Sequence, residues 1–240
     1  MPRGDGQKVS DVRQDYRAMK PKLLDLFCGA GGASMGYHRA GFEVYGVDIE
    51  PQPNYPFEFR EADAIEVLEQ LAFEDTNMDF QAIHTSPPCQ AYTRATEKHR
   101  MYDGFEYPDL VTDVRRLLKL AKLPYIIENV VGSPLETCVI LRGDMFGLEV
   151  IRPRLFELSF MVFQPQVAKR KGLLCGRDYF RVMSGGGCWC KGDETKGTFE
   201  QWKKAMGIDW ADYYGLTQAI PPAYTEYIGK YLIKAITGGK

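Results

Sequence analysis

The chain has 240 residues, is 45% hydrophobic and carries a formal net charge of −2. That suffices for one sizeable core and a small second lobe. No apolar run approaches the roughly 20 residues a membrane span needs, and the polar start MPRGDGQKVSDVRQDYRAMK lacks the apolar centre of a secretion signal. The expectation is a soluble, cytoplasmic protein with no membrane partner.

In chain order, residues 23–27 read as a buried first strand that breaks into the glycine-rich turn CGAGG, followed by a helix over 33–40. Residues 43–49 (EVYGVDI) form a second strand and 57–62 a short third. Residues 64–71 are helical, with Ile65, Leu68 and Leu71 on one face. Residues 79–85 (DFQAIHT) supply a fourth strand, cut off at Pro87 and Pro88. The polar stretch 91–107 has no clear period. Pro108 opens a helix through Val111, Val114, Leu117, Leu118 and Ala121, with proline in the first turn. Residues 125–130 (YIIENV) are a fifth strand.

Short strands are expected over 138–163, and loop or ribbon over the glycine-rich 170–198. Thr198 and Gln201 resemble a capping box opening a short helix to Met206. A last helix follows Pro221 and Pro222, with Tyr224, Ile228, Tyr231, Leu232 and Ala235 on one face. Strands alternating with helices predict a parallel α/β sheet.

The turn after the first strand suits close approach to a ligand, since Gly29, Gly31 and Gly32 carry no side chain. Asp48 ends the second strand, where a carboxylate can take both ribose hydroxyls of an adenosine, and Asp63 follows the third strand, placed to meet an adenine edge. Phe27 can pack on the ring. The loop lacks the G-x-G-x-x-G fingerprint and the P-loop lysine, so an adenosine cofactor without phosphates fits better than NAD or ATP. A plain tight turn in an α/β core remains the alternative.

Six cysteines (Cys28, Cys89, Cys138, Cys175, Cys188 and Cys190) do not suggest a disulfide scaffold in a chain this long. Free thiols in a reducing compartment fit better and leave one available as a nucleophile. Cys89 follows two prolines and the fourth strand, at the carboxyl edge where open α/β sheets place their sites. Glu128 ends the apolar fifth strand, where partial desolvation raises a carboxyl pKa and suits proton donation. A hydrogen-bonded structural carboxylate is the alternative. Arg152 and Arg154 alternate with Ile151, Pro153 and Leu155, so both can project from one strand face, or else be plain surface charges.

Between Met161 and Lys204 nine bases face four acids, leaving this segment at +5 and the rest of the chain at −7. A polyanion docking there explains the asymmetry, as does a solvated loop with surplus lysines. Cys175, Cys188 and Cys190 lie close together but have no evident fourth ligand, so no metal site is expected.

In this order the motifs resemble those of the DNA (cytosine-5) methyltransferase family. DLFCGAGG (25–32), SPPCQAYT (86–93), ENV (128–130), Arg152-Pro-Arg154 and QAIPPAYTEYIG (218–229) are similar to the family's motifs, over residues 22–157 and 212–236. The resemblance implies a Rossmann-like, class I S-adenosylmethionine-dependent methyltransferase sheet with a small, mostly irregular or β target-recognition lobe. It divides the chain into a catalytic and cofactor-binding domain at 1–157 (1–20 a polar extension), a basic recognition lobe at 158–211 and a closing segment at 212–240. S-Adenosylmethionine would be held by Phe27, Cys28, Gly29, Ala30, Gly31, Gly32, Asp48, Ile49, Asp63, Ala64, Gln218 and Ala219.

Further implications concern the reaction. Cys89 adds to C6 of cytosine, Glu128 assists at N3, and an arginine at the position of Arg154 stabilises charge at O2, with Arg152 counted in the catalytic set. Pro88, Gln90, Thr93 and Asn129 line the base. The partner is double-stranded DNA with the target base flipped out, and the loop at 90–107 closes over it. A monomer is expected, in a prokaryotic or phage-infected cell. RNA cytosine methylation, a binding protein without activity and an altered methyl donor remain competing readings.

Two departures stand out. Val150 occupies a position where the family has glutamine, and the recognition region is short, as in compact phage-encoded members. A short or relaxed target sequence follows from the second.

Overall fold

A computed structural model describes residues 20–74, 78–92, 109–166, 179–183 and 197–238. Seven strands form one sheet: β1 (Lys22–Leu26), β2 (Glu43–Asp48), β3 (Glu58–Glu61), β4 (Ala82–Thr85), β5 (Tyr125–Val130), β6 (Cys138–Leu141) and β7 (Arg154–Leu158). Their spatial order is β3-β2-β1-β4-β5-β7-β6. The first five run parallel, and β7 is antiparallel to both β5 and β6. The helices are α1 (Gly32–Ala40), α2 (Ala64–Phe73), α3 (Leu110–Ala121), α4 (Phe199–Met206), α5 (Tyr213–Gln218) and α6 (Pro222–Ile236). This is the mixed α/β methyltransferase architecture expected from the sequence.

The central strands β1, β4 and β5 are largely apolar and buried because both sheet faces are covered there, whereas the edge strand β3 (EFRE) is polar and mostly exposed. Neighbouring residues point to opposite faces. Leu23 and Ile126 enter a core with Tyr37, Phe42, Tyr224, Ile228 and Leu232, while Leu24 and Ile127 enter another with Val67, Leu68, Val114 and Leu117. A third core joins Val150 and Val182 to Trp202, Met206, Ile208 and Leu216. α1 and α6 interlock on the first face. A Cβ on Gly36 would lie 2.0 Å from Thr225 Oγ1 and 2.1 Å from the Pro222 carbonyl oxygen, so only glycine permits this approach.

Several details differ from the sequence reading. α3 begins at Leu110, with the Asp109 carboxylate accepting from the Val111 N–H, so Pro108 precedes the cap instead of occupying the first turn. In α2 the buried side chains are Ala64, Val67 and Leu68, with Ile65 and Leu71 only half-buried, because the helix turns its Val67 edge inward. In α6 Thr225 and Gly229 belong to the buried face and Ala235 is exposed. α5 has no counterpart among the expected helices. The Thr198–Gln201 capping box is present in full. Most of 170–198, and the stretch 93–108, lie outside the described residues.

The chain moves outward from β1 through β2 to β3, then returns to place β4 on the other side of β1. The crevice at the carboxyl ends of β1 and β4 is therefore the topological switch point, the usual ligand position in such sheets. Leu26 pairs with Thr85 there, so the segments leaving the two strands start side by side.

Candidate active site

The loop after β1 is held by its own backbone and by β2. Phe27, Gly29 and Gly31 all adopt positive φ (58°, 47° and 80°). The Cys28 N–H donates to the Val47 carbonyl (3.1 Å), and the Gly29 N–H donates to Asp48 Oδ2 (2.8 Å). Asp48 thus braces the loop while its other oxygen accepts from the Glu50 N–H (3.1 Å). No atom lies within 4 Å of a Cβ built on Gly29, so the loop leaves open space at that point. Ile49 presents an apolar side chain that is 63% exposed. Asp63 uses Oδ1 to cap α2 at the Ile65 N–H (2.7 Å), with Ala64 buried behind it. A Cβ on Gly32 would meet the Ile220 carbonyl oxygen at 2.4 Å and Ala219 at 3.1 Å, so the turn after Gln218 lies against the loop.

Two supports here were missed in the sequence. The Trp210 indole N–H donates to the Ala30 carbonyl (2.7 Å). The Tyr55 ring packs where side chains on Gly31 and Gly46 would stand, and its hydroxyl is 2.7 Å from Ser34 Oγ. A tryptophan or tyrosine in a polar stretch needs a partner for its polar tip, which is the only hint the sequence offered.

Beneath the loop lies a buried polar group. Ser34 donates to Asp25, Tyr37 meets His84 Nδ1 at 2.9 Å, and His84 Nε2 stands 4.0 Å from Asp25 Oδ1. Burial lifts Asp25 to about 7 and lowers His84 to about 3, so at mildly acidic pH the proton sits on the carboxyl and the imidazole is neutral.

The segment after β4 is tied to the first loop. The Ser86 N–H donates to the Leu26 carbonyl (3.1 Å), and its hydroxyl to the Phe27 carbonyl (3.3 Å). Asn129 Nδ2 donates to the Pro87 carbonyl (2.9 Å), fixing the Pro-Pro turn against β5. The Tyr92 N–H closes a turn onto the Cys89 carbonyl (3.0 Å). Cys89 is half-buried on this turn, between exposed Pro88 and exposed Gln90. Burial pushes its thiol up, the Arg154 cation pulls it down, and Glu128 pushes it up again. Thr93 lies outside the described residues.

Glu128 and Arg154 meet across β5 and β7. Val130 is paired with Arg154, and Glu128 lies two residues earlier on the same face. Arg154 Nε is 2.9 Å from Glu128 Oε1, yet the N–H is not aimed at that oxygen, which has no hydrogen-bond partner. Burial raises the Glu128 carboxyl, and Arg154 then Arg152 oppose it. The structure thus brings Cys89, Glu128 and Arg154 together beside the glycine loop.

Arg152 departs from the expected arrangement. β7 begins at Arg154, and Arg152 precedes it with φ 33°, so the two arginines do not share a strand face. Its Nη1 donates to the Val182 carbonyl (2.8 Å) and its Nη2 to the Thr217 carbonyl (2.7 Å). The sequence could not show this, because a residue before proline normally takes extended backbone. Val150, at the departing position, is 1% exposed and packs in the third core.

Fold and site define a methyltransferase-type α/β protein with a thiol, a carboxyl and an arginine at its switch point. The model of the C-5 cytosine-specific DNA methylase family matches residues 21–133. Type II methyltransferase M.HgiGI of Herpetosiphon aurantiacus is 31% identical over 117 residues, covering 45% of this chain and 90% of that protein. Type II methyltransferase M.AquIA of Picosynechococcus sp. is 30% identical over 128 residues, covering 48% of this chain and 50% of that one. Among solved structures, the Entamoeba histolytica methyltransferase EhMeth shares the fold, with a TM-score of 0.54 at 13% identity over 91% of this chain and 99% of that one. The chain belongs to the C-5 cytosine-specific DNA methylase family. It spans about half the length of M.AquIA. The family match ends before Arg152, Arg154 and the turn at Gln218.

Proposed function

We propose that the protein transfers a methyl group from S-adenosylmethionine to C5 of cytosine in DNA, through a covalent bond between Cys89 and C6 of a flipped-out base. The observation that carries this reading is the meeting of Cys89, Glu128 and Arg154 at the switch point, next to a loop suited to an adenosine cofactor. The cofactor fits the residues present: open space at Gly29, a carboxylate at Asp48, an exposed apolar wall at Ile49 and no phosphate-binding lysine. Phe27 to Gly32, Asp48, Ile49, Asp63, Ala64, Gln218 and Ala219 would hold it. When bound, it supplies an electrophilic methyl group.

The chain's own residues do the rest. Cys89 rests as a thiol; as it gives its proton to water, the Arg154 cation favours the thiolate that attacks C6. Glu128, kept protonated more readily by burial, donates toward N3 and eases that addition. Arg154 then stabilises negative charge developing at O2. C5 becomes enamine-like and takes the methyl group. Water then removes the C5 proton, Glu128 recovers the proton from N3, and the C6–S bond breaks to expel the Cys89 thiolate. Pro88, Gln90 and Thr93 would frame the base, with Asn129 acting from behind by holding the Pro87 carbonyl. The basic 158–211 segment serves as a small recognition lobe, implying a short or relaxed target.

The test is to digest DNA and RNA from cells expressing wild type and Cys89→Ala, and to quantify modified cytosines by mass spectrometry. Cys89-dependent 5-methylcytosine in DNA is expected. Modification of RNA alone would transfer the reading to RNA, and none in either would overturn it. Bisulfite sequencing should give a short target, and a long strict consensus would contradict the small lobe.

A further inference from the structure

The proposal here concerns Arg152, and it rests on the reading of the site just given. Two backbone carbonyls, far apart in sequence, take both terminal nitrogens of its guanidinium: Val182 at 2.8 Å and Thr217 at 2.7 Å. Thr217 lies in the last turn of α5, where carbonyls lack helical partners and the helix dipole favours a cation. Just beyond it, Ala219 and Ile220 approach Gly32 of the cofactor loop.

Val182 belongs to the segment 179–183, which the neighbouring backbone also holds. The Phe180 N–H donates to the Glu149 carbonyl (2.7 Å), and Val150 pairs with Phe180 in a single bridge. Val150 and Val182 bury their side chains in the same core as Trp202, Met206 and Leu216. The position where the resemblance expects glutamine therefore anchors the basic segment by packing.

The Arg152 backbone is fixed as firmly. Its φ of 33° is unfavourable for a non-glycine residue before proline. The Tyr224 hydroxyl, from α6, holds it by donating to the Arg152 carbonyl (2.9 Å) and lying 3.2 Å from that of Ile151. Two residues on, Arg154 reaches Glu128.

We propose that Arg152 is a positioning residue, a clamp that locks the recognition-side segment at Val182 and the cofactor-side turn at Thr217 to the strand carrying Arg154. Its terminal nitrogens grip the protein itself and so hold the two segments, while its Nε is buried without a hydrogen-bond partner. Recognition segment, cofactor wall and Arg154 then move as one body.

Arg152→Lys and Arg152→Met separate this role from a cation acting on substrate, because lysine keeps the charge but lacks the planar fork that bonds two divergent carbonyls. Three readouts apply: amide hydrogen exchange, affinity for S-adenosylhomocysteine and the single-turnover methylation rate. The clamp predicts that in both variants exchange accelerates together in 179–183 and 215–220. It also predicts cofactor affinity and single-turnover rate each lower by roughly 10–100-fold, as expected for loss of hydrogen bonds from a charged group. Should the methionine variant fail to fold, the lysine variant and Tyr224→Phe carry the test, the latter with a smaller rise in exchange in the same two segments. Wild-type exchange and cofactor affinity in Arg152→Lys would overturn the clamp, as would lysine restoring the rate lost in methionine. An inactive wild type would sink the proposed reaction, yet the exchange and binding measurements would still decide the clamp.

Discussion

Arg154 faces Glu128 across two antiparallel strands, Nε to Oε1 at 2.9 Å, with side chains only 16% and 8% exposed. Removing one member of so buried a pair leaves an uncompensated charge. Arg154→Ala should lower unfolding free energy by about 3–5 kcal/mol. The double variant Arg154→Met with Glu128→Gln should recover part of that loss. Urea denaturation of the three proteins checks it, and equal loss in single and double variants would contradict it.

Glu128→Gln keeps the shape of the side chain but cannot donate a carboxyl proton. Single-turnover methylation should fall by about 10²–10⁴-fold, with S-adenosylhomocysteine binding unchanged. A loss of cofactor affinity of similar size would show that Glu128 supports the cofactor loop instead.

Burial outweighs the pull of Arg154 at Cys89, so its thiol ionises later in pH than a free cysteine. Alkylation by iodoacetamide, followed at Cys89 by peptide mass spectrometry, should rise only at alkaline pH. Arg154→Ala removes the opposing cation and should move the profile further upward. A profile already flat at neutral pH would mean a preformed thiolate.

Asp25 and His84 make opposite contributions to stability. Asp25 rises to about 7 in the folded state, so its contribution falls as pH climbs from the ordinary carboxylate range toward 7. His84 drops to about 3, so its contribution falls as pH decreases below the ordinary imidazole value of 6.5. Between about pH 4.5 and 6 the folded pair holds one proton on Asp25, the unfolded pair one on His84, and the two slopes cancel. Asp25→Asn should therefore make stability rise with pH relative to wild type, by up to about 1.4 kcal/mol per unit, and His84→Asn should make it fall. Denaturant titrations across this window supply the measurement, and parallel curves for all three proteins would refute the pairing.

Gly36→Ala should be poorly tolerated. Its methyl group would strike the Thr225 hydroxyl and the Pro222 carbonyl, forcing α1 and α6 apart at a cost of about 1–3 kcal/mol or more. Thermal unfolding would register this, and Gly29→Ala offers a contrast in kind, since no atom crowds that position and its cost comes only from the backbone at φ 47°.

β1, β4 and β5 were legible as largely apolar runs followed by turn residues, and Cys89 and Glu128 stood out as candidates because one follows β4 and the other lies near the end of β5. α5 was not, since six residues interrupted by Gly215 carry no helical period. The direction of Arg152 was hidden by a backbone conformation that sequence disfavours before Pro153. Trp210 reaches Ala30 across 180 residues, and no local pattern encodes such a contact. Asp63 was read as a ligand to adenine, while the structure shows one of its oxygens already capping α2.

The interlock of α1 with α6 has a consequence for how the protein is made. α1 starts at the glycine loop, yet the surface it buries belongs to a helix some 200 residues later. During synthesis that face stays open until α6 leaves the ribosome. Contacts this distant slow folding and leave apolar surface open to mispairing. A nascent chain halted before α6 would hold both Cys89 and the glycine loop, but without the helix packed against α1.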